Sequence, residues 1–521
     1  MRRIAPLDAL FLNVETGSVH AHVAGLAVLD PPPRGLAGAD LVALVRRRAH
    51  LAPLMRRRLV RVPFDLDRPY WIEDPAFRPE RHVHELALTP PGGDRELADL
   101  VAALHERPLD RDRPLWELHL IHGLRGGRVA LYAKVHHAAV DGVGGAGVLA
   151  ALLDLGPEPR EVEPEPPRAP ERPPGPLTIA VNGLAGAVAQ PVRALRAAAS
   201  ALPHLDGIPI VSRLPGAGLL ARAVRPAPGS APAPELPPAP RTPFNGPVSA
   251  RRRFAWTSLP LAEVKAVKDR LGGSVNDVVM ALCATALRRW LADLDALPDG
   301  PLVAAVPVSV RRRDAADDGR ANQVSALFAA LPTQVADPLA RYERCRDTLA
   351  RAKRRFADAP ATWLEDLVAA VPPPLAAPAS RAALALSRRV GAPVNLVISN
   401  VPGPAFPLYV AGARVRAFYP VSVVSDATGG VNITAFSYDG RLCLGVTACP
   451  ENVSDVSTLA AHLADALAEL TALATPPIPR RRAPEPPAPP AVRPEPAVRP
   501  EPAVRLARVR GAGGRAKAPV G

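Results

Sequence analysis

The stretch ALYAKVHHAAVDGVGGAG, Ala130 to Gly147, decides how the rest of the chain is read. As far as His136 it has the pattern of a strand; beyond Gly142 it takes on helical spacing. Two adjacent histidines, an aspartate four residues after the second and a run of glycines therefore mark a strand-to-helix corner. Gly142, Gly144 and Gly147 formally satisfy the G-x-G-x-x-G dinucleotide pattern. The context fails: after Leu155 the chain turns Pro-rich, leaving no second parallel strand with a ribose-binding acid. A shared metal ion fails as well. Neighbours on a strand point to opposite faces, so His136 and His137 cannot both ligate one ion, and Asp141 would add only a second ligand. No metal is expected. Packing alone would account for a lone histidine. A pair followed by Asp141 and Gly142 fits proton transfer better: one ring faces a cavity, the other the packed side, and the neutral imidazole titrates near neutral pH.

Working outward, 521 residues leave room for two or three domains, and a hydrophobic share of 48% supports real cores. The formal charge of +14 has a local source. From Pro476 onward ten Lys and Arg face three Glu, a balance of +7, in a tail that repeats AVRPEP (Ala491–Pro496, Ala497–Pro502). Such a segment cannot bury a core and is expected to be disordered, either solvated or weakly drawn to anionic membrane surfaces. No aromatic residues interleave with its arginines, so no nucleic-acid partner is expected. Cys283, Cys345, Cys443 and Cys449 are widely spaced and form no ligand pair, which suits a reduced, cytoplasmic setting. The opening MRRIAPLDALFLNVE is not patterned as a signal peptide, and the apolar stretch Leu177–Val192 is short of a bilayer span.

Two α/β lobes joined by a proline-rich crossover are expected. Residues 1–155 alternate strands (HVAGLAVLD, RVALYAKVHH) with helices (Glu96–Glu106, Val143–Leu155). Residues 156–247 form two Pro-rich joints around an apolar and basic block, Leu177–Arg225. That block reads as amphipathic helices with Arg193, Arg196, Arg213 and Arg222 on the wet side, suited to a membrane surface or to packing on the domain. Residues 248–475 return to α/β patterning, with a helix Ser274–Leu294 and extended PLVAAVPVSV and PVNLVISNVPGP. A hairpin turning at Asp439-Gly440 and a closing helix Val456–Ala472 follow. Residues 476–521 are the tail.

The ordered blocks PLDALFL (from Pro6), PLWELHLIHGL (Pro114–Leu124), HHAAVDG (His136–Gly142), VNDVVMALCATALRRWL (Val275–Leu291), VPVSVRRR (Val306–Arg313) and SNVPGPAFPLYVAGA (Ser399–Ala413) carry a resemblance. The chain is similar to the bacterial wax ester synthase/diacylglycerol O-acyltransferase family, within the acyltransferases that share HHxxxDG. VHAHVAG (Val19–Gly25) departs from the family by lacking a Pro-Met pair. The resemblance implies two chloramphenicol-acetyltransferase-like lobes and transfer of a fatty acyl group from long-chain acyl-CoA, a substrate rather than a cofactor, to diacylglycerol or a fatty alcohol. It implies that His137 is the general base, His136 orients it, Asp141 is structural and Gly142 permits the turn. Arg311 is the implied partner of Asp141. Asn276 and Asp277 either floor the acyl channel or cap their helix, with capping favoured. Pro114, Leu115 and Trp116 are expected to pack along the channel. A cytoplasmic enzyme, peripheral at the inner membrane face or at lipid inclusions, follows. The rivals are a condensation-type acyltransferase of natural-product assembly and a non-catalytic coat protein of lipid inclusions.

Overall fold

HVAGLAVLD forms a strand over the expected residues and, with apolar side chains buried on both faces, becomes the interior of a sheet. In the computed structural model the described residues are 2–139, 148, 150–165, scattered positions from 171 to 195, 236–309, 324–357 and 363–474. All the described elements belong to one body, Met1–Ala474. The expected disordered tail lies outside the described residues, as do most of the crossover and residues 143–147 and 149 of the predicted helix Val143–Leu155.

The first part of the chain supplies β1 (Arg2–Arg3), α1 (Pro6–Asn13), β2 (His22–Asp30), α2 (Gly38–Arg48), β3 (Arg57–Val60) and β4 (Tyr70–Glu73). It continues with β5 (Val83–Ala87), α3 (Asp94–Glu106), β6 (Trp116–His122) and β7 (Val129–His136). The second part supplies β8 (Arg253–Pro260), α4 (Leu261–Leu271), α5 (Val275–Ala292), β9 (Leu302–Ser309), β10 (Val324–Leu331) and α6 (Pro338–Ala357). Then come α7 (Trp363–Ala370), α8 (Pro373–Val390), β11 (Leu396–Val401), β12 (Tyr409–Val410), β13 (Ala413–Val421), β14 (Val431–Tyr438), β15 (Arg441–Ala448) and α9 (Val456–Leu473).

Two mixed six-stranded sheets result, in the orders β12-β13-β2-β7-β6-β5 and β10-β9-β11-β14-β15-β8, with a small sheet β1-β4-β3 beside them. Sheet membership does not follow the chain. β12 and β13 lie within the expected C-terminal lobe, 248–475, yet they extend the first sheet, with Val421 opposite Ala24 and Arg414 opposite Asp30. Alternating burial along β13 fixes which of its faces is apolar; it says nothing of which strand lies alongside.

Local chemistry explains the elements that were legible. Ser274 opens α5 in a capping box, its hydroxyl accepting from the Asp277 N–H while the Asp277 carboxylate takes the Ser274 N–H at 2.7 Å. Asp439 and Gly440, both at positive φ (42° and 76°), make the tight turn between β14 and β15. Gly445 of β15 has a different role: a Cβ there would sit 1.8 Å from the Pro420 carbonyl oxygen of β13, so the two sheets approach closely only because it is glycine.

α5 and α9 pack on the second sheet around Val279, Leu282, Leu287, Leu444, Leu463 and Leu467. α9 is long and apolar enough to cross a membrane by length and composition, but its buried stripe of Leu459, Leu463, Leu467 and Leu470 makes it a core helix here. α2 covers one face of the first sheet, and its terminal Arg48 forms a buried ion pair with Asp154 at 2.9 Å. That pair and a bond from Arg48 to the Arg160 carbonyl anchor the start of the crossover.

Candidate active site

β7 ends at the histidine pair. The His136 N–H bonds the Leu115 carbonyl at 2.9 Å and the His137 N–H bonds the Ala21 carbonyl at 2.7 Å, so both main chains are held from neighbouring segments. A single 3₁₀ turn, His137–Ala139, follows. Its second residue, Ala138, donates its N–H to His136 Nδ1 at 3.0 Å. An imidazole nitrogen that accepts carries no proton, which puts the proton of the neutral His136 ring on Nε2. His136 is buried, and its Nε2 lies 3.1 Å from Glu15 Oε1 in an oblique contact.

Glu15 was not anticipated. It follows α1, and its Oε1 also accepts the Ala21 N–H at 2.7 Å while Oε2 pairs with Arg111. Arg111 in turn donates to the Leu12 carbonyl at 3.0 Å, closing a clasp over the end of α1. Burial pushes the Glu15 carboxyl up, but the hydrogen bonds and charges of His136 and Arg111 outweigh it and hold the pKa at about 2. A fixed negative charge therefore faces His136 at all ordinary pH values. The signal in the sequence was faint: a single acid ending the apolar run of PLDALFLNVE, four residues beyond Phe11.

His137 points the other way along the turn. Phe11 of α1 stacks on its ring, with centroids 3.9 Å apart and planes 18° from parallel. The ring is half-buried, and its Nδ1 is enclosed without a hydrogen-bond partner among the described residues. Burial lowers its pKa to about 4, the His137 main chain opposing weakly and the charge of His136 adding to the fall. The expectation of a ring titrating near neutral pH is thus corrected. Covered by Phe11 and with no acid acting on it among the described residues, His137 stays unprotonated well below neutrality.

The other anticipated residues divide. Asp141, Gly142 and Arg311 lie outside the described residues. Asp277 is buried in the capping box of α5, with Asn276 in the same first turn. Leu115, fully buried, packs with Leu12, Ala138 and Ala139 beneath the turn. Trp116 donates its indole N–H to the Met55 carbonyl at 2.8 Å and stacks on His82. Pro114, beside them, is also buried. These three are packing residues, and through the Leu115 carbonyl they reach His136.

A second polar cluster runs through the first sheet from the same end. His22 sits opposite His136 in the register. Its Nε2 bonds the His105 carbonyl at 2.7 Å, and His105 Nδ1 meets the Tyr132 hydroxyl at 2.8 Å. Burial holds His22 down to about 3 and His105 well below its usual value. Lys134 donates to the Leu104 and Arg107 carbonyls and pairs with Glu117 at 3.1 Å. Among the described residues no three His, Cys, Asp or Glu side chains are grouped to hold a metal ion.

Comparison with known proteins places this geometry. Residues 4–279 match the wax ester synthase/diacylglycerol acyltransferase catalytic domain, and residues 320–471 match the C-terminal domain of the same family. A Mycobacterium tuberculosis protein named as a diacylglycerol O-acyltransferase is 37% identical over 478 residues, 90% of each chain. One from Mycobacterium bovis is 35% identical over 480 residues, 90% of this chain and 99% of that one. The solved wax ester synthase/diacylglycerol acyltransferase of Marinobacter aquaeolei VT8 superposes with a TM-score of 0.64 at 30% identity, over 91% of this chain and 100% of that one. A cyclization-docking bidomain of the EpoB peptide synthetase from Sorangium cellulosum shares the fold alone, with a TM-score of 0.51 at 15% identity over 91% of this chain and 84% of that one. With its two lobes, its histidine corner and these matches, the chain belongs to the wax ester synthase/diacylglycerol acyltransferase family and is an O-acyltransferase.

Proposed function

We propose that this chain moves a long-chain fatty acyl group from acyl-CoA to diacylglycerol, making triacylglycerol, and also accepts long-chain alcohols, with His137 as general base. The supporting observation is the half-buried His137 ring, which stays neutral to about pH 4 at a corner where both neighbouring main chains are fixed. An alcohol proton is too weakly acidic to leave at pH 7. In the proposed step His137 takes that proton as the hydroxyl oxygen attacks the thioester carbonyl. The C–S bond then breaks, and the imidazolium returns the proton to the CoA thiolate. Base catalysis of this kind accelerates a reaction roughly 10²–10⁴-fold. His136, held by Ala138 and Glu15, keeps the turn in place; Asp141 is assigned a structural role, with Arg311 of the other lobe as its partner. No cofactor enters this scheme. The protein works in the cytoplasm as a peripheral enzyme, at the inner membrane face or at lipid inclusions where its acceptor resides.

Purified protein incubated with labelled palmitoyl-CoA and parallel diacylglycerol and hexadecanol acceptors, followed by separation of neutral lipids, tests the reading. Labelled triacylglycerol as the main product is expected. Wax ester alone would overturn the acceptor assignment, and no labelled neutral lipid from any acceptor would overturn the activity.

A further inference from the structure

Arg252 stands immediately before β8 and is buried, only 5% exposed, although it carries a full charge. Among the described residues no carboxylate forms an ion pair with its guanidinium; the partners are carbonyl oxygens. One guanidinium nitrogen donates to the Ser249 and Arg251 carbonyls, the latter at 2.8 Å, within its own segment. The other reaches the Ser18 carbonyl at 3.0 Å, 234 positions earlier in the chain. Taking a cation out of water for carbonyl partners alone costs stability that an apolar side chain would not. That cost points to a use beyond packing.

Both ends of the reach are held. On the side of Arg252, the Val248 N–H donates to the Asp426 carboxylate at 3.0 Å and the Ser249 hydroxyl to the Glu451 carboxylate at 2.7 Å. The Arg252 N–H donates to the Glu106 carboxylate at the end of α3 at 2.8 Å, and Arg253 next to it pairs with Ala448 of β15. On the side of Ser18, residues 16–19 form a tight turn. The Thr16 N–H bonds the Val19 carbonyl at 3.0 Å, and the Thr16 hydroxyl accepts from the N–H groups of Ser18 and Val19 at 3.3 and 3.2 Å. A pull on the Ser18 carbonyl therefore moves the turn as a unit.

That turn leads straight to the histidine corner. The Ala21 N–H donates to Glu15 Oε1, and the Ala21 carbonyl accepts the His137 N–H at 2.7 Å. Glu15 in turn faces His136. Residues 15–21 thus hold both histidines. Arg111 ties this loop to the first part of the chain through Glu15; Arg252 ties it to the second part through Ser18. A guanidinium suits the task because its planar fork donates in two fixed directions at once, which an ammonium group does not.

We propose that Arg252 is a positioning residue for acyl transfer: by holding the Ser18 carbonyl it fixes loop 15–21, and through the Ala21 carbonyl the main chain of His137, relative to the second sheet. The role rests on the reading of His137 as general base. Arg252 acts through Ser18 and Ala21 and is not itself a catalytic group. A shift of about 1 Å in a reacting group lowers a rate by as much as roughly 100-fold.

Steady-state kinetics, thermal melts and hydrogen exchange on the full chain test the role. Arg252→Met keeps the length of the stem and loses every donor; Arg252→Lys keeps the charge and loses the fork. Arg341 supplies the control. It is equally buried, and its bonds to Thr285 and to the Val335 and Ala336 carbonyls stay within the second part of the chain. Arg252→Met is expected to lower kcat roughly 10- to 100-fold with unchanged KM for palmitoyl-CoA and diacylglycerol, and to speed amide exchange in residues 15–21 and at His137. Arg252→Lys should lie between that variant and wild type, and it carries the test if Arg252→Met does not fold. Arg341→Met should lower the melting temperature and keep kcat per folded molecule. Wild-type kcat in the folded Arg252 variants would overturn the proposal. A raised KM with kcat kept would overturn it too, placing the guanidinium at a substrate phosphate instead. Equal losses of kcat in Arg252→Met and Arg341→Met would reduce Arg252 to a structural residue. His137→Ala, measured alongside, separates the two readings. Wild-type turnover in that variant removes the base assignment, whereas its loss together with full turnover in Arg252→Met removes only the role of Arg252.

Discussion

The first and second sheets have six strands each but bury different chemistry. Ten of the twelve histidines precede Ala138. Around the first sheet His22, His105, His119, Lys134 and His136 are all buried, alongside Tyr132. The main core on the second sheet is almost wholly aliphatic, and its Cys283 thiol is pushed up to about 12 by burial, so it stays neutral at ordinary pH. One sheet stores groups that can change protonation state, with burial keeping His22 and His105 uncharged at neutral pH; the other supplies stiffness. The separation is sensible physically. A buried polar group needs partners, and meeting that need at many points in both cores would add risk of unsatisfied groups without adding chemistry.

The largest expected effect breaks this comparison if it fails. His137→Ala should lower the rate of acyl transfer by roughly 10²–10⁴ with little change in melting temperature. Leu287→Ala in the second core should do the reverse, destabilising the fold by about 2–5 kcal/mol while the activity per folded molecule is kept. Because His137 is neutral above about 4, the acid limb of kcat/KM in wild type should fall near pH 4, not near 6.5. A limb near 6.5 would mean that the ring is not desolvated by Phe11. Chemical denaturation and rate measurements on the two variants, with a pH-rate profile of wild type, check both halves.

Acid sharpens the comparison next. His22 and His105 have depressed values in the folded state, so the unfolded chain takes up protons first as pH falls below 6.5. Their contribution to stability is therefore complete above about 6.5 and shrinks on acidification, by on the order of 2 kcal/mol for each buried ring at pH 5. Hydrogen exchange at pH 7 and pH 5 should show β2, β6 and β7 losing protection before β14 and β15. Uniform loss over both sheets would remove the distinction.

Glu15→Gln is the smallest and most selective change. Glu15 has the opposite sign: its carboxylate is depressed to about 2, so its stabilisation is full above the ordinary carboxylate range and is lost as pH falls through 2. The amide keeps an acceptor for Ala21 and loses the charge facing His136 and Arg111. A loss of about 2 kcal/mol of stability at pH 7 and roughly a tenfold fall in kcat with unchanged KM are expected, read by thermal melts and steady-state kinetics. An unchanged kcat would show that His136 needs no clasp.

What was legible in the chain was local. The apolar run of HVAGLAVLD, Ser274 with Asp277, and Asp439-Gly440 are all signals between near neighbours, and each produced the expected strand, cap or turn. The histidine corner was legible for the same reason, and the ordered motifs around it pointed to the family. Glu15 was not, because an acid after a short apolar helix reads as an ordinary surface residue, and its partner His136 lies 121 positions away, from Glu15 to His136. β13 was visible as a strand yet not as a member of the first sheet, since period-two patterning sets a strand's faces and leaves its neighbour open.

By itself, then, the sequence determined the elements, the corner and the residue types available for proton transfer, because propensity, capping and turn formation are settled by near neighbours. Only the tertiary structure decided that β13 crosses to the first sheet, that Phe11 covers the buried ring of His137 and that Glu15 braces His136. Burial and charge act through space, and the chain brings those partners together only once it has folded.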